Sequence, residues 1–315
     1  MKSANETLLV ALGGNALIKK GQEGTIEQQF ENLKLPVGQI ARLSKKYRII
    51  ITHGNGPQVG NLLLQQECCN ATSKLPLEIL VAQTQGQIGY MIESTLDSEL
   101  MKLGINAQPL VSLISYVVVD YKDTAFKKPS KPIGPVYSKQ EAAVAPYPIG
   151  KTAKGYRRLV VSPKPVTIVE KREIKKLIEM NFTVICCGGG GIPVVREGRA
   201  FHGVDAVIDK DLASAKLAEE VGVDIFIIAT DVQGAALNYG SNDQKFLRSI
   251  SIKQAQQYIK EGHFPPGSMK PKIEAATQFV TRLGKRAVIT SLDNIEKAVL
   301  GKSGTEIIQN DNRSE

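Results

Sequence analysis

The chain has 315 residues, 42% of them apolar, which is enough for one large α/β domain or two smaller ones, and no stretch approaches the ~20 apolar residues of a membrane-spanning helix. A net charge of +9 favours anionic partners, but tryptophan is absent, aromatics are only 5% and the lysines are dispersed, so small anions fit better than nucleic acid or a membrane surface. The four cysteines form two adjacent pairs, Cys68-Cys69 and Cys186-Cys187, which read as buried thiols in a reducing, cytoplasmic compartment, and the three histidines show no zinc spacing.

Leu8 to Leu12 is an apolar run of buried-strand length, and Gly13-Gly14-Asn15-Ala16 is the loop at its end. No small-residue cleavage pattern follows before Lys19-Lys20, so this is a strand entering a loop rather than a signal peptide. Thr25 to Lys46 has helical spacing, with Ile26, Phe30, Leu33, Val37, Ile40 and Leu43 on one face, and Pro36 inside it predicts a kink or a break. Arg48 to Thr52 is a second strand, ended by His53-Gly54-Asn55-Gly56-Pro57, and a helix follows. Leu77 to Leu103 reads as one long helix or two short ones, where Gly86 and Gly89 point to close packing. Gln108 to Asp120 is a long β-prone run. Residues 120–163 are rich in proline and lysine with little helical period, and they predict a protruding inserted subdomain of turns and hairpins.

Val166 to Asn181 reads as a helix, and Thr183 to Cys187 as a short buried strand running into Gly188-Gly189-Gly190-Gly191. A glycine run after a buried strand lets backbone N–H groups approach a ligand, since no Cβ intervenes. Further on, Ala206-Val207-Ile208-Asp209-Lys210-Asp211 enters a segment with Ala213, Leu217 and Val221 at helical spacing. That places a lysine and two aspartates at a helix N-terminus, where anions are favoured. Asp224 to Ala229 is another strand, ended by Thr230-Asp231-Val232. Ser251 to Glu261 is a helix, and His263 to Lys272 is a rigid loop that opens the helix Ile273 to Leu283. Arg286 to Thr290 is a strand, Asn294 to Leu300 a short helix, Gly304 to Ile308 a final edge strand, and Gln309 to Glu315 a frayed tail.

This alternation predicts parallel strands with crossover helices, which bind ligands at their carboxyl ends. The standard phosphate fingerprints fail. A G-x-G-x-x-G counted from Gly188 ends on Pro193, and from Gly189 on Val194. Gly150-Lys151-Thr152 and Gly301-Lys302-Ser303 have Ala145 and Glu296 where a phosphate loop needs its first glycine.

The loops together are more specific than any one of them: ALGGNAL at 11–17, THGNGPQVG at 52–60, QGQIGYM at 85–91, KPIGP at 131–135, GGGGIPV at 188–194, AVIDKDLA at 206–213, TDV at 230–232 and EGHFPPGSMKPK at 261–272. In this order they resemble the carbamate kinases of the amino acid kinase family, from about residue 7 to residue 308. The resemblance implies a single domain over 1–315, a three-layer αβα sandwich on an open, mainly parallel sheet. It implies a carbamate or carbamoyl phosphate side in residues 1–182 and a nucleotide side in 183–309. It also implies a homodimer that transfers a phosphoryl group reversibly between carbamoyl phosphate and ADP, giving ATP and carbamate, which falls to CO2 and ammonia. Mg2+ would enter with ATP or ADP, held through the phosphates without an all-protein cage.

Carbamate is already an anion, so this chemistry requires no general base. It requires in-line positioning and positive charge around the moving phosphoryl group. The expected cations are Lys131, Lys210 and Lys272, each such preorganised group lowering the barrier by roughly 3–4 kcal/mol. Many members of the superfamily carry a lysine on the first strand where Ala11 stands here, so Lys131 would supply that charge from a subdomain closing like a lid. Asp209 is expected to orient Lys210 and to touch a magnesium-bound water. Amides of Gly13, Gly14, Asn15, Gly54, Asn55, Gly189 and Gly190 would hold phosphoryl oxygens, and His53 would be a packing residue. Thr230, Asp231, Val232, Tyr239, Gly267, Ser268, Met269 and Pro271 match the nucleotide-lining positions. Two segments depart from the family pattern: Ile149 to Arg158 lacks its acidic residues, and the long helix reads TQGQIGYM where SQG and an aromatic are usual. They leave open a paralogue acting on another small carboxylate or carbamate; a further alternative is a non-catalytic, nucleotide-sensing partner of a transcarbamylase.

Overall fold

Leu8 to Leu12 are all buried, so the strand Thr7–Leu12 needs cover on both faces and neighbours on both sides. A computed structural model, which describes residues 6–68, 71–152 and 155–309, provides both. The strand lies between Arg48–His53 and Ile225–Thr230 and runs parallel to each. The full sheet has eight strands in the order Ser249–Ser251, Thr305–Ile308, Arg286–Ser291, Ile225–Thr230, Thr7–Leu12, Arg48–His53, Thr183–Ile185 and Leu110–Ser112. One pair is antiparallel, Arg286–Ser291 with Thr305–Ile308. The last of these was expected at the sheet edge, but the short strand Ser249–Ser251 adds outside it.

Strand alternation divides the core in two. Leu9, Ala11, Ile50, Phe226 and Ile228 pack against Ala213 and Leu217 of helix Lys210–Val221 and Phe279 of helix Met269–Leu283. Leu8, Val10, Ile49, Ile51 and Ile227 pack on the other face against helices Ile26–Leu43 and Leu77–Lys102. The result is the three-layer αβα sandwich with a mainly parallel sheet. Helix Ile26–Leu43 starts in a capping box between Thr25 and Gln28. It runs unbroken through Pro36, because the buried faces of Leu33, Val37 and Ile40 hold it on both sides of the missing amide. Leu77–Lys102 is one helix.

Three expectations need correction. The β-prone run from Gln108 is two strands, Leu110–Ser112 at the main sheet's edge and Tyr116–Val119 in a second sheet. That second sheet takes in Pro165–Ile168, which was expected to begin a helix; the helix is only Lys171–Glu179. The sheet is completed by the hairpin Ile192–Glu197 and Ala200–Gly203. The third correction is Cys68, whose thiol is exposed although Cys186 and Cys187 are buried. Cys69, residues 153–154 and the tail 310–315 lie outside the described residues.

Within the inserted segment, strands Lys131–Tyr137, Gly155–Val160 and Ile149–Thr152 form a small antiparallel sheet beside helix Lys139–Val144. Ile133 and Val160 anchor it by packing with Val59, Leu63 and Val207 of the body. No helix among the described residues is long and apolar enough to cross a membrane.

Candidate active site

Parallel neighbours in register open their loops along one edge of the sheet, and the loops after Leu12, His53, Ile185 and Thr230 stand side by side there. The ladder continues past the strand ends. Gly13 N–H donates to the Ala229 carbonyl at 2.9 Å and Gly54 N–H to that of Leu12 at 3.0 Å, while Gly190 N–H closes a turn onto the Cys187 carbonyl at 3.1 Å. Those three amides bond backbone carbonyls here, where they were expected to be open to an anion. Gly14, Asn15, Asn55 and Gly189 are left as the candidate donors.

The glycines act instead by letting side chains come close. A Cβ on Gly54 would stand 3.3 Å from Cδ of Lys210. One on Gly189, whose φ is +66°, would stand 2.2 Å from Nδ2 of Asn55. Asn55 is itself held by Thr84, whose Oγ1 accepts from Nδ2 at 2.9 Å. Gln85 braces the glycine loop from below. Its Oε1 accepts from Ser115 N–H at 2.8 Å, and Ser115 Oγ accepts from Cys187 N–H at 3.1 Å.

The lysines converge on two aspartates at the start of helix Lys210–Val221. Asp209 caps that helix, Oδ1 accepting from the Asp211 amide at 2.9 Å. This leaves Oδ2 for Lys131 Nζ, 2.5 Å away. Asp209 therefore holds Lys131, although 78 residues separate the two, and does not orient Lys210 as expected. Lys210 is paired with Asp211, whose other oxygen accepts from Lys272 Nζ at 2.9 Å. Sequence reasoning placed Asp211 at this helix start but gave it no role, although it is the second carboxylate of the Asp209-Lys210-Asp211 triplet. A further hydroxyl chain fixes the helix turn: Ser214 Oγ bonds the Lys210 carbonyl at 2.6 Å and Thr52 Oγ1 at 2.6 Å.

Burial and charge set the protonation states. Burial depresses the pKa of Lys210, and the neighbouring Lys272 adds to that, against the pull of Asp211. For Lys272 burial works against the charge, but Asp211, then Asp209 and Asp231, outweigh it and raise the pKa. Asp211 resists burial in the same way, its two lysines holding the carboxyl far below the usual range.

His53 is fully enclosed, and burial, reinforced by Lys210, holds its pKa down to about 4 from 6.5. It is neutral in the folded protein and suited to packing. Because its folded pKa lies below the unfolded value, stability is lost as pH falls from 6.5 toward 4. The drop in melting temperature between about pH 7.5 and about pH 5 is expected to be smaller in His53→Gln than in the wild type. An equal drop would assign the acid sensitivity elsewhere.

On the nucleotide side, Thr230 is buried at its strand end and donates to Asp231 Oδ1 at 3.1 Å. Val232 follows, half-buried. Helix Met269–Leu283 begins four residues earlier than expected, so Met269, Pro271 and Lys272 all lie in its first turn, just after exposed Gly267 and Ser268. Asp231 stands within electrostatic reach of Lys272. Tyr239 is exposed just beyond the strand Ala236–Leu237.

Comparison with known proteins agrees with this architecture. The amino acid kinase family pattern matches residues 6–291. The carbamate kinase of Thermococcus kodakarensis is 47% identical over 312 residues, spanning 96% of this chain and 99% of its own length. That of Pyrococcus horikoshii is 44% identical over 311 residues, with 96% and 99% covered. The structure of carbamate kinase from Giardia lamblia bound to AMP-PNP superposes with a TM-score of 0.89 at 39% identity, covering 98% of this chain and 99% of that one.

Proposed function

The chain belongs to the carbamate kinases of the amino acid kinase family, and from that premise we propose that it moves a phosphoryl group between carbamoyl phosphate and ADP at the ends of the central strands. The observation that carries this reading is the pair of linked clusters, Lys131–Asp209 and Lys210–Asp211–Lys272, set against the Gly54 loop. In the direction of ATP formation, a β-phosphate oxygen of ADP attacks phosphorus and the bond from phosphorus to the carbamate oxygen breaks. Carbamate leaves as an anion, so no proton moves and no base is needed. The three ammonium groups offset the charge that accumulates on the transferring oxygens. The carboxylates hold those ammonium groups in place. Magnesium carried on the nucleotide phosphates would supply further neutralisation, and Asp209 is the carboxylate that would meet its water shell.

The decisive experiment is a coupled assay for ATP formed from ADP and carbamoyl phosphate. Nucleotide binding without ATP formation would favour the sensing alternative. If Gly267 to Lys272 and Thr230-Asp231 hold the nucleotide, millimolar ADP with magnesium raises the melting temperature by linkage. A null shift counts against that half of the site. Lys131→Ala is expected to lower the rate by roughly tenfold or more and weaken carbamoyl phosphate, with ADP affinity nearly unchanged. Damage mainly to ADP binding would overturn the assignment of Lys131.

A homodimer fits the open edge of the main sheet at Leu110–Ser112, where Tyr90 of the neighbouring helix is exposed. Light scattering at micromolar concentration tests it. Free thiols, one of them exposed at Cys68, suit a reducing cytoplasm.

A further inference from the structure

Lys131 is the first residue of its strand, and what fixes that strand lies three residues on. Gly134 has φ +72°, and the ladder to Gly155–Val160 is irregular between Ile133 and Tyr137. The kink turns the Gly134 carbonyl to Arg157, whose Nε and Nη2 both donate to it, at 3.1 and 2.7 Å. On the opposite side, Gly134 lies against Gly60, where a Cβ would stand 2.7 Å from Cα of Gly134. Gly60 belongs to helix Gly56–Glu67, which begins directly after the Gly54-Asn55 loop.

Back along the strand, Lys131 and Ile133, two residues apart, project on one face. Ile133 packs with Val207 while Lys131 reaches Asp209, again two residues apart. The Val207 N–H also donates to the Val161 carbonyl at 3.1 Å, tying the two segments together. Any displacement of the strand at Gly134 is therefore transmitted to the Lys131 ammonium.

We propose that Gly60, Gly134 and Arg157 form the seat that positions Lys131 on Asp209. Gly60 sets how closely the strand approaches the helix, and Arg157 holds the kinked carbonyl. Gly60 and Arg157 act through Lys131 and are positioning residues. The link to catalysis rests on the proposed role of Lys131 with carbamoyl phosphate, whereas the seat itself can be read without turnover.

The test uses the full chain and the variants Gly60→Ala, Arg157→Met and Arg157→Lys. An amine-reactive reagent labels lysines, and mass spectrometry compares Lys131 with exposed Lys139. Paired with Asp209, Lys131 is expected to label slowly in the wild type. Its labelling is expected to rise several-fold in Gly60→Ala and Arg157→Met, with Arg157→Lys intermediate and Lys139 unchanged. In parallel, turnover falls roughly ten- to a hundredfold from misplacement of the ammonium, carbamoyl phosphate KM rises and ADP KM does not. In a Lys131→Ala background the Gly60→Ala substitution has no further effect on turnover, which a merely structural role would not produce. Should Gly60→Ala fail to fold, Arg157→Met carries the test. Wild-type labelling of Lys131 in folded variants overturns the seat. A wild type that forms no ATP overturns the proposed reaction, and the labelling still decides the seat.

Discussion

Lys210→Ala is expected to lower turnover by at least about a hundredfold while leaving the protein folded. The lysine sits at the first turn of its helix, its stem against Gly54 and its ammonium on Asp211. From there it faces the loops that follow Leu12 and His53, where the phosphoryl group is proposed to move. Folding disfavours its charge, since burial depresses the pKa, and Asp211 keeps Lys272 as a partner after truncation. The melting temperature should therefore shift by only a few degrees. A folded variant with near-normal turnover would remove Lys210 from the mechanism, and an unfolded one would make it a structural residue. Restoring charge with Lys210→Arg should recover little, because a planar fork does not replace a compact ammonium enclosed beside a glycine.

What could be read from the sequence was local. Glycines at the ends of apolar runs marked the loops after Leu12, His53 and Cys187, and the parallel registers bring those loops together. The helices covering the sheet were visible in their 3–4 spacing. Pro165–Ile168 was missed because the helical spacing of Ile174, Leu177 and Ile178 was carried back across it, whereas the β-branched run Val166-Thr167-Ile168 is what pairs with Tyr116–Val119. The site was harder. Lys131 meets Asp209 across 78 residues and Lys272 meets Asp211 across 61, so no local pattern says which carboxylate serves which lysine. The use of glycine amides was equally hidden, since only the register shows Gly13 and Gly54 bonding their neighbours' carbonyls.

Asp211→Asn is expected to be the most damaging single change to the site, because it acts on stability and on chemistry together. Asp211 is 3% exposed and stands between two ammonium groups that are themselves largely enclosed. Removing its charge leaves Lys210 and Lys272 facing each other, and breaking a buried pair in this way costs about 3–5 kcal/mol. The pH dependence follows from the sign of the shift. The folded pKa of Asp211 lies below its ordinary value, so its contribution is present above the usual carboxylate range and is lost as pH falls toward the folded pKa. The deficit of the variant should accordingly be largest near neutrality and shrink in acid, which a melting-temperature series against pH would display. Chemistry responds at the other end of the scale. Lys210 already has a lowered pKa, and without Asp211 it releases its proton more readily, so the alkaline limb of turnover should move toward neutrality. An alkaline limb in its wild-type place, in a variant that still folds, would mean that Asp211 does not keep Lys210 charged, and the Lys210–Asp211–Lys272 cluster would then be structural.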